Sequence, residues 1–311
     1  MASVTLVESA KLALDDLVAG IIENIITVNH MFEMIPFDGI DGNSLAYNRE
    51  NVLGDVETLG VGGTIAAKAA ATFTKVNSSL TTIIGDAEVN GLIQATRSSD
   101  GNDQTAVQIA SKAKSAGRSF QQQLITGDGT GDDFTGLENL VAGSQSIVQD
   151  TAGVETNGGD LSLEKMDELI DLVTDKDGNV DYLTGNARTL RSYYSLLRAL
   201  GGASIMDSIT LPSGTSISAY RGIPLFRNDY VPVNQTTGSL TTGATLYAGT
   251  FDDGSRSSGI AGLTAQNASG IAVVSVGESE TKDEHITRVK WYCGLALFSE
   301  KGLAALTGIA N

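Results

Sequence analysis

One cysteine, two histidines, four prolines and one tryptophan are spread over 311 residues. Cys293 alone permits no internal disulfide, so the fold must stand on packing, as in a reducing compartment. Redox pairs and zinc ribbons are excluded with it. His30 and His285 are too few for a histidine-rich metal site and leave a Ser-His-Asp triad little to draw on. Both read as surface or packing imidazoles. No G-x-S-x-G, H-E-x-x-H or G-x-x-x-x-G-K-[ST] pattern occurs. Long apolar runs are missing as well. The best stretch, 17–28, carries Glu23 and Asn24 and falls short of the roughly 20 residues a membrane helix needs. With no basic, apolar leader at the N-terminus, a soluble protein made in a cytoplasm is expected. The N-x-S/T triplets at Asn77, Asn234 and Asn267 then read as chance.

Positive charge is the other scarcity. Twenty Lys+Arg stand against 37 Asp+Glu, a formal net charge of −17, which gives no electrostatic footprint for gripping a phosphate backbone. Charged residues make up only 18% of the chain, so much of the exterior must be Ser, Thr, Asn, Gln and Gly. What is present is enough for a core: 41% hydrophobic residues and 36 glycines in a chain this long suit one extended or two compact domains. Disorder, collagen and a small disulfide-stapled scaffold are ruled out.

Along the chain, Thr5 and Glu8 form a capping pair ahead of apolar residues near a 3.6 period, predicting a helix or two helical pieces within 1–35. Asp38, Gly39, Asp41 and Gly42 then read as a turn cluster. From Ser44 the pattern becomes strand, with Leu45, Tyr47 and Arg49 alternating with Ala46, Asn48 and Glu50. A second strand is expected over 71–80, and Gly54, Gly60, Gly62 and Gly63 lie between. Such a ribbon reaches about 33 Å if each arm has about ten residues, against a radius of gyration of about 19–20 Å for a globule of this length. It has too few large apolar side chains to stand alone in water, so something outside the subunit must cover it.

A strand-like or helical piece at 83–93 precedes the strongest helix, 103–126, with Asn102 as its cap. Its apolar positions are Ala106, Ile109, Ala110, Ala113, Ala116, Phe120 and Leu124, while Lys112, Lys114 and Arg118 mark a solvated or inter-subunit face. The run at Gly127, Gly129 and Gly131 follows this helix rather than opening one, so it reads as a C-terminal stop, not a phosphate loop. Further helices are expected at Leu163–Thr174 and Ala187–Leu200, the latter presenting Leu190, Tyr194, Leu197 and Leu200. Strands are expected at 181–184, 215–220, 223–226, 244–248, 271–276 and 285–298. Asp175, Asp177 and Asn179 imitate the start of a calcium loop, but Val180 and Asn186 stand where that loop needs glycine and glutamate. An acidic turn is the reading. Cys293, beside Trp291 and Tyr292, reads as a buried, inert thiol. No residue is assigned a catalytic, cofactor-binding or metal role, and nothing argues for an enzyme. The order of elements gives α+β rather than alternating βαβ.

The stretch 71–84, the helix ending in Phe120-Gln-Gln-Gln-Leu-Ile-Thr-Gly-Asp-Gly-Thr130 and the following Phe134-Thr-Gly-Leu137 resemble the major capsid proteins of tailed bacteriophages with the HK97 fold. Tyr220-Arg-Gly-Ile-Pro-Leu-Phe-Arg-Asn-Asp-Tyr230, Tyr247-Ala-Gly-Thr-Phe-Asp-Asp253 and Arg288-Val-Lys-Trp-Tyr-Cys-Gly-Leu-Ala-Leu297 are similar to the family's later strands, so the resemblance spans about 40–311. It implies an N-terminal arm (1–43), an extended β-hairpin loop (44–80), a peripheral domain with a long spine helix (81–134 and 270–292) and an apical domain (135–269 and 293–311).

The implied function is an icosahedral shell of hexamers and pentamers that encloses double-stranded phage DNA without sequence-specific binding. The acidic balance suits a wall to which DNA must not adhere. The implied partners are copies of the chain itself, a separate scaffolding protein, a portal and a decoration protein. No cleaved scaffolding segment precedes the arm here, so a separate scaffold or a sequence given in mature form is implied. Arg49, Glu50, Lys68, Lys75, Lys112 and Arg118 are the residues expected to meet neighbouring copies; no acceptor for a lysine cross-link can be matched. An encapsulin-type compartment shell is the alternative, and a hydrolase on an α+β scaffold a distant third for want of a nucleophile-base pair.

Overall fold

Strand Glu284–Leu297 organises half of the molecule because its fourteen residues alternate between two environments and then become apolar on both sides. In the computed structural model, which describes residues 30–67, 69–97, 104–150, 157–175, 178–201 and 207–310, three strands share its edges. Thr81–Asn90 pairs antiparallel along one edge. The other edge takes Ala272–Glu278 against His285–Lys290 and Ile260–Ala265 against Cys293–Leu297. Phe37–Ile40 completes the sheet, parallel to Ile260–Ala265.

The long helix, Gln104–Thr126, lies across this sheet. Val107, Ala110, Ala113, Ala116 and Gly117 are buried, so small side chains let the helix approach closely. Phe120 then fills the space the alanines leave: its ring stacks on Trp291 at 4.7 Å and meets Phe32, Phe134 and Phe37 at 5.1, 5.3 and 6.0 Å. Truncating it to alanine would cost about 3–5 kcal/mol. The helix stops where backbone crowds the axis. Gly127 N–H donates to Gln123 O at 2.9 Å, Gly136 N–H donates back to Gly127 O at 2.8 Å, and a Cβ at Gly127 would lie 2.1 Å from Phe134 O. This is the helix stop expected of the glycine run.

Among the described residues the second sheet has nine strands. Its main path runs Ser146–Val148, Leu303–Ala310, Leu240–Gly249, Tyr182–Gly185, Ile223–Arg227, Ser216–Tyr220 and Asp207–Thr210. Gln235–Thr237 pairs beside Leu240–Gly249, and Gly159–Asp160 beside Leu303–Ala310. Helices Leu163–Thr174 and Ala187–Leu200 share one core with it: Met166, Leu169 and Val173 from the first, Leu190, Tyr193 and Leu197 from the second, against Leu183, Leu225, Leu246 and Leu306. Ser162 caps the first helix by accepting from Lys165 N–H (3.3 Å), and Asn186 caps the second by accepting from Arg188 N–H (3.1 Å). Tyr182, Phe226, Tyr247 and Leu303 instead join Phe120 and Trp291, so one core connects both sheets and the long helix.

Several expectations are corrected. The turn cluster at 38–42 contains a strand, because Phe37 packs its ring over Gly262, where a Cβ would come within 2.6 Å. Val107 and Gln104 are buried where Ala106 and Ile109 were expected, both of which are half-buried. In Ala187–Leu200 the buried tyrosine is Tyr193, and Leu200 is 58% exposed. Segment 83–93 divides into the strand ending at Asn90 and helix Gly91–Arg97, capped when Asn90 Oδ1 accepts from Leu92 N–H (3.0 Å). Strand Glu284–Leu297 runs unbroken through 292 and 293, and Ile260–Ala265 pairs within its sheet. The helix expected within 1–35 lies outside the described residues except for its last part, a 3-10 turn at His30–Glu33. The capping residue Asn102 lies outside them too.

Candidate inter-subunit surface

The third sheet is the ribbon Ser44–Val52 with Thr72–Ser79, antiparallel from Ser44↔Ser79 to Val52↔Thr72. Leu45, Tyr47 and Arg49 share one partly buried face, as their alternation predicts. At its base Leu45, Tyr47 and Leu80 pack against Ile40, Ala261, Leu263, Ala296 and Phe298. Tyr47 OH donates to Leu297 O at 2.6 Å, and its ring meets Phe298 edge-on at 5.2 Å. Arg49 completes the attachment: Nε donates to Phe298 O (3.0 Å), Nη1 pairs with Glu300 (2.9 Å), and Nη2 donates to Leu297 O.

Beyond Arg49 the ribbon is largely exposed. Val52, Leu53, Val56, Val61, Ile65 and Phe73 are 58–111% exposed. Among its described residues, segment 53–71 contains no strand; Asp55 N–H to Ala69 O (3.0 Å) and Gly63 N–H to Gly60 O (3.1 Å) hold its shape locally. Gly62 turns the tip at φ +87°, a conformation that costs glycine nothing. On the five-stranded sheet Ile84, Val273, Val274 and Val276 are also 42–56% exposed, and the register puts Ile84 and Val274 on the face of Arg288 and Val273 on the opposite one. Beside them the guanidinium of Arg288 grips Asp86 in two parallel bonds of 2.7 and 2.8 Å. Its hydrogen bonds hold the Asp86 carboxyl below the usual carboxylate range.

The structure distributes the expected contact residues unevenly. Arg49 directs its donors into its own chain. Glu50 and Lys75 are exposed on the ribbon, opposite Phe73 and Asn48 respectively. Lys112 and Arg118 are exposed on the long helix, and Lys68 lies outside the described residues. Arg118 also borders a cleft of about 670 Å³ with His30, Gln121, Tyr194, Asn228 and Tyr230. Sequence reasoning missed Tyr47 as an anchor because a tyrosine's phenol gives no sign of which distant carbonyl it will reach.

The reactive groups are elsewhere and occupied. Burial pushes the Cys293 thiol up to about 12. His285 Nε2 lies 3.1 Å from Ser275 Oγ. In the acidic turn, Asp181 accepts from Asn179 Nδ2 (2.8 Å) and from Phe251 N–H (2.9 Å), while Asp177 lies outside the described residues. Among the described residues no group of three His, Cys, Asp or Glu side chains comes together to hold a metal ion, and no helix is long and apolar enough to cross a membrane.

No family model matches the chain, and no curated relative does. Solved structures match over nearly its whole length. The holo-SrpI encapsulin complex of Synechococcus elongatus PCC 7942 superposes with a TM-score of 0.70 at 16% identity, covering 100% of this chain and 97% of that one. The capsid of a native GTA particle gives 0.63 at 11% identity, covering 96% and 93%. A structure of Mycobacterium phage Bobi gives 0.59 at 12% identity, covering 100% and 99%.

Proposed function

The chain has the HK97 fold, and from that premise we propose that it is a non-enzymatic shell subunit, the major capsid protein of a tailed phage, assembling as hexamers and pentamers around double-stranded DNA. One observation carries the reading: a ribbon bonded firmly at its base whose outer half presents seven large apolar side chains, Leu59 among them, to solvent. Exposed apolar surface of this kind marks an interaction site, and Ile84 and Val274, on one face of the five-stranded sheet, offer a second copy an apolar landing. In this reading 1–43 is the arm, 44–80 the extended loop, and the five-stranded sheet with the long helix the peripheral domain, including 260–265 and all of 284–297. The nine-stranded sheet is the apical domain. Scaffold, portal and decoration proteins are the partners such a shell would recruit, and assembly would take place in a host cytoplasm before the subunit becomes part of the virion.

The likeness to an encapsulin supports a second reading, a compartment shell around protein cargo. Electron microscopy of particles purified from the producing cell, with nuclease digestion and mass spectrometry of their contents, separates the two. Closed shells protecting double-stranded DNA are expected. Closed shells holding a protein cargo and no DNA would support the compartment instead, and a chain that stays monomeric at high concentration would contradict both.

A further inference from the structure

We infer that two oppositely charged helices on one face of the nine-stranded sheet form a contact between copies, the arginine stripe of one copy lying against the carboxylate stripe of a second copy. The inference rests on the shell reading above. Ala187–Leu200 turns Leu190, Tyr193 and Leu197 to the core. At 3.6 residues per turn, Arg188, Arg191 and Arg198 then fall in one outward sector of about 80°. All three are exposed, and among the described residues none forms an ion pair.

Leu163–Thr174 mirrors this arrangement with the opposite sign. Its outward sector, about 60° wide, holds Glu164, Glu168 and Asp171, and Asp175 at the C-cap continues the line. Glu168 shares Lys165 at 2.7 Å, while Glu164 and Asp171 form no ion pair among the described residues. The lengths match: the arginines span about 15 Å along their helix and 164–175 about 16 Å along theirs. Because both helices cover the same sheet, each copy offers both halves of the contact. Arginine against carboxylate is attractive, whereas like stripes repel, so the pair sets orientation as well as affinity. A nucleic acid fits the arginines less well, since the neighbouring carboxylate helix repels phosphate and the whole chain carries −17.

The test uses two full-length variants: an arginine-reversed chain (Arg188→Glu, Arg191→Glu, Arg198→Glu) and a carboxylate-reversed chain (Glu164→Lys, Glu168→Lys, Asp171→Lys). Folding is checked by circular dichroism and assembly by sedimentation velocity. Each variant alone should lose assembled material on the order of tenfold, and an equimolar mixture should recover it, because all-acidic faces then meet all-basic ones. If a reversed chain misfolds, the neutral triple variant Arg188→Gln, Arg191→Gln, Arg198→Gln should assemble more weakly than wild type and with less dependence on salt. Wild-type assembly by the arginine-reversed chain, no recovery in the mixture of folded chains, an unchanged salt dependence in the neutral variant, or loss of bound double-stranded DNA alone would each overturn the contact while leaving the shell reading standing. A wild-type chain that never assembles would remove both.

Discussion

Tyr47 and Leu297 stand 250 residues apart in sequence, and a 2.6 Å hydrogen bond from phenol to main-chain carbonyl joins the ribbon to the end of the longest strand. Arg49 adds three bonds to the same strand end and the residues after it. Tyr47→Phe should therefore lower unfolding stability by about 1 kcal/mol, and Arg49→Ala by roughly 2–3 kcal/mol, since carbonyls and Glu300 lose a charged donor. Urea titration of the unassembled subunit measures both. Equal stability of Arg49→Ala and wild type would mean that the ribbon base is held by apolar packing alone.

Gly127 admits no side chain. With Phe134 O 2.1 Å from a built Cβ, Gly127→Ala must displace the loop 128–136 or unwind the last helical turn. A loss of about 2 kcal/mol or more is expected. The neighbouring Gly131, where a Cβ meets nothing within 4 Å but φ is +64°, should lose less on the same substitution.

Acid should weaken the Asp86–Arg288 pair. The carboxyl is lowered by its hydrogen bonds to Arg288, so its stabilisation is complete above its unfolded-state value of about 4 and disappears as pH falls through the lowered folded value. The stability difference between wild type and Asp86→Asn, measured by denaturant titration, should shrink as the pH drops through this range. A difference independent of pH would count against the pair.

The Cys293 thiol, buried and raised to about 12, should resist thiol reagents in the folded subunit and react once denaturant is added. Rapid labelling of the native chain would show that the five-stranded sheet opens readily at this position.

Where side chains report on one environment at a time, the fold was legible in the sequence. Leu45, Tyr47 and Arg49 alternate and share a face; helices Leu163–Thr174 and Ala187–Leu200 lie where they were expected. Two strands buried on both sides were not legible. Leu303–Ala310 and Ile260–Ala265 are apolar almost throughout, so neither alternation nor a helical period identifies them. The candidate inter-subunit surface was half legible. The ribbon's want of a covering surface followed from its composition and reach, but the anchors at Leu297 and Phe298 depend on tertiary placement. The charge stripes required knowing which face of each helix meets the sheet.

Deleting 52–70 tests the central claim most directly. Circular dichroism and sedimentation velocity on the wild-type and deleted chains, with negative-stain microscopy of the products, should show closed shells for the first. The second should keep the same folded spectrum and form no closed shell. Shells from the deleted chain like those of wild type, or loss of its folded spectrum, would contradict a ribbon that serves a neighbouring subunit and not its own.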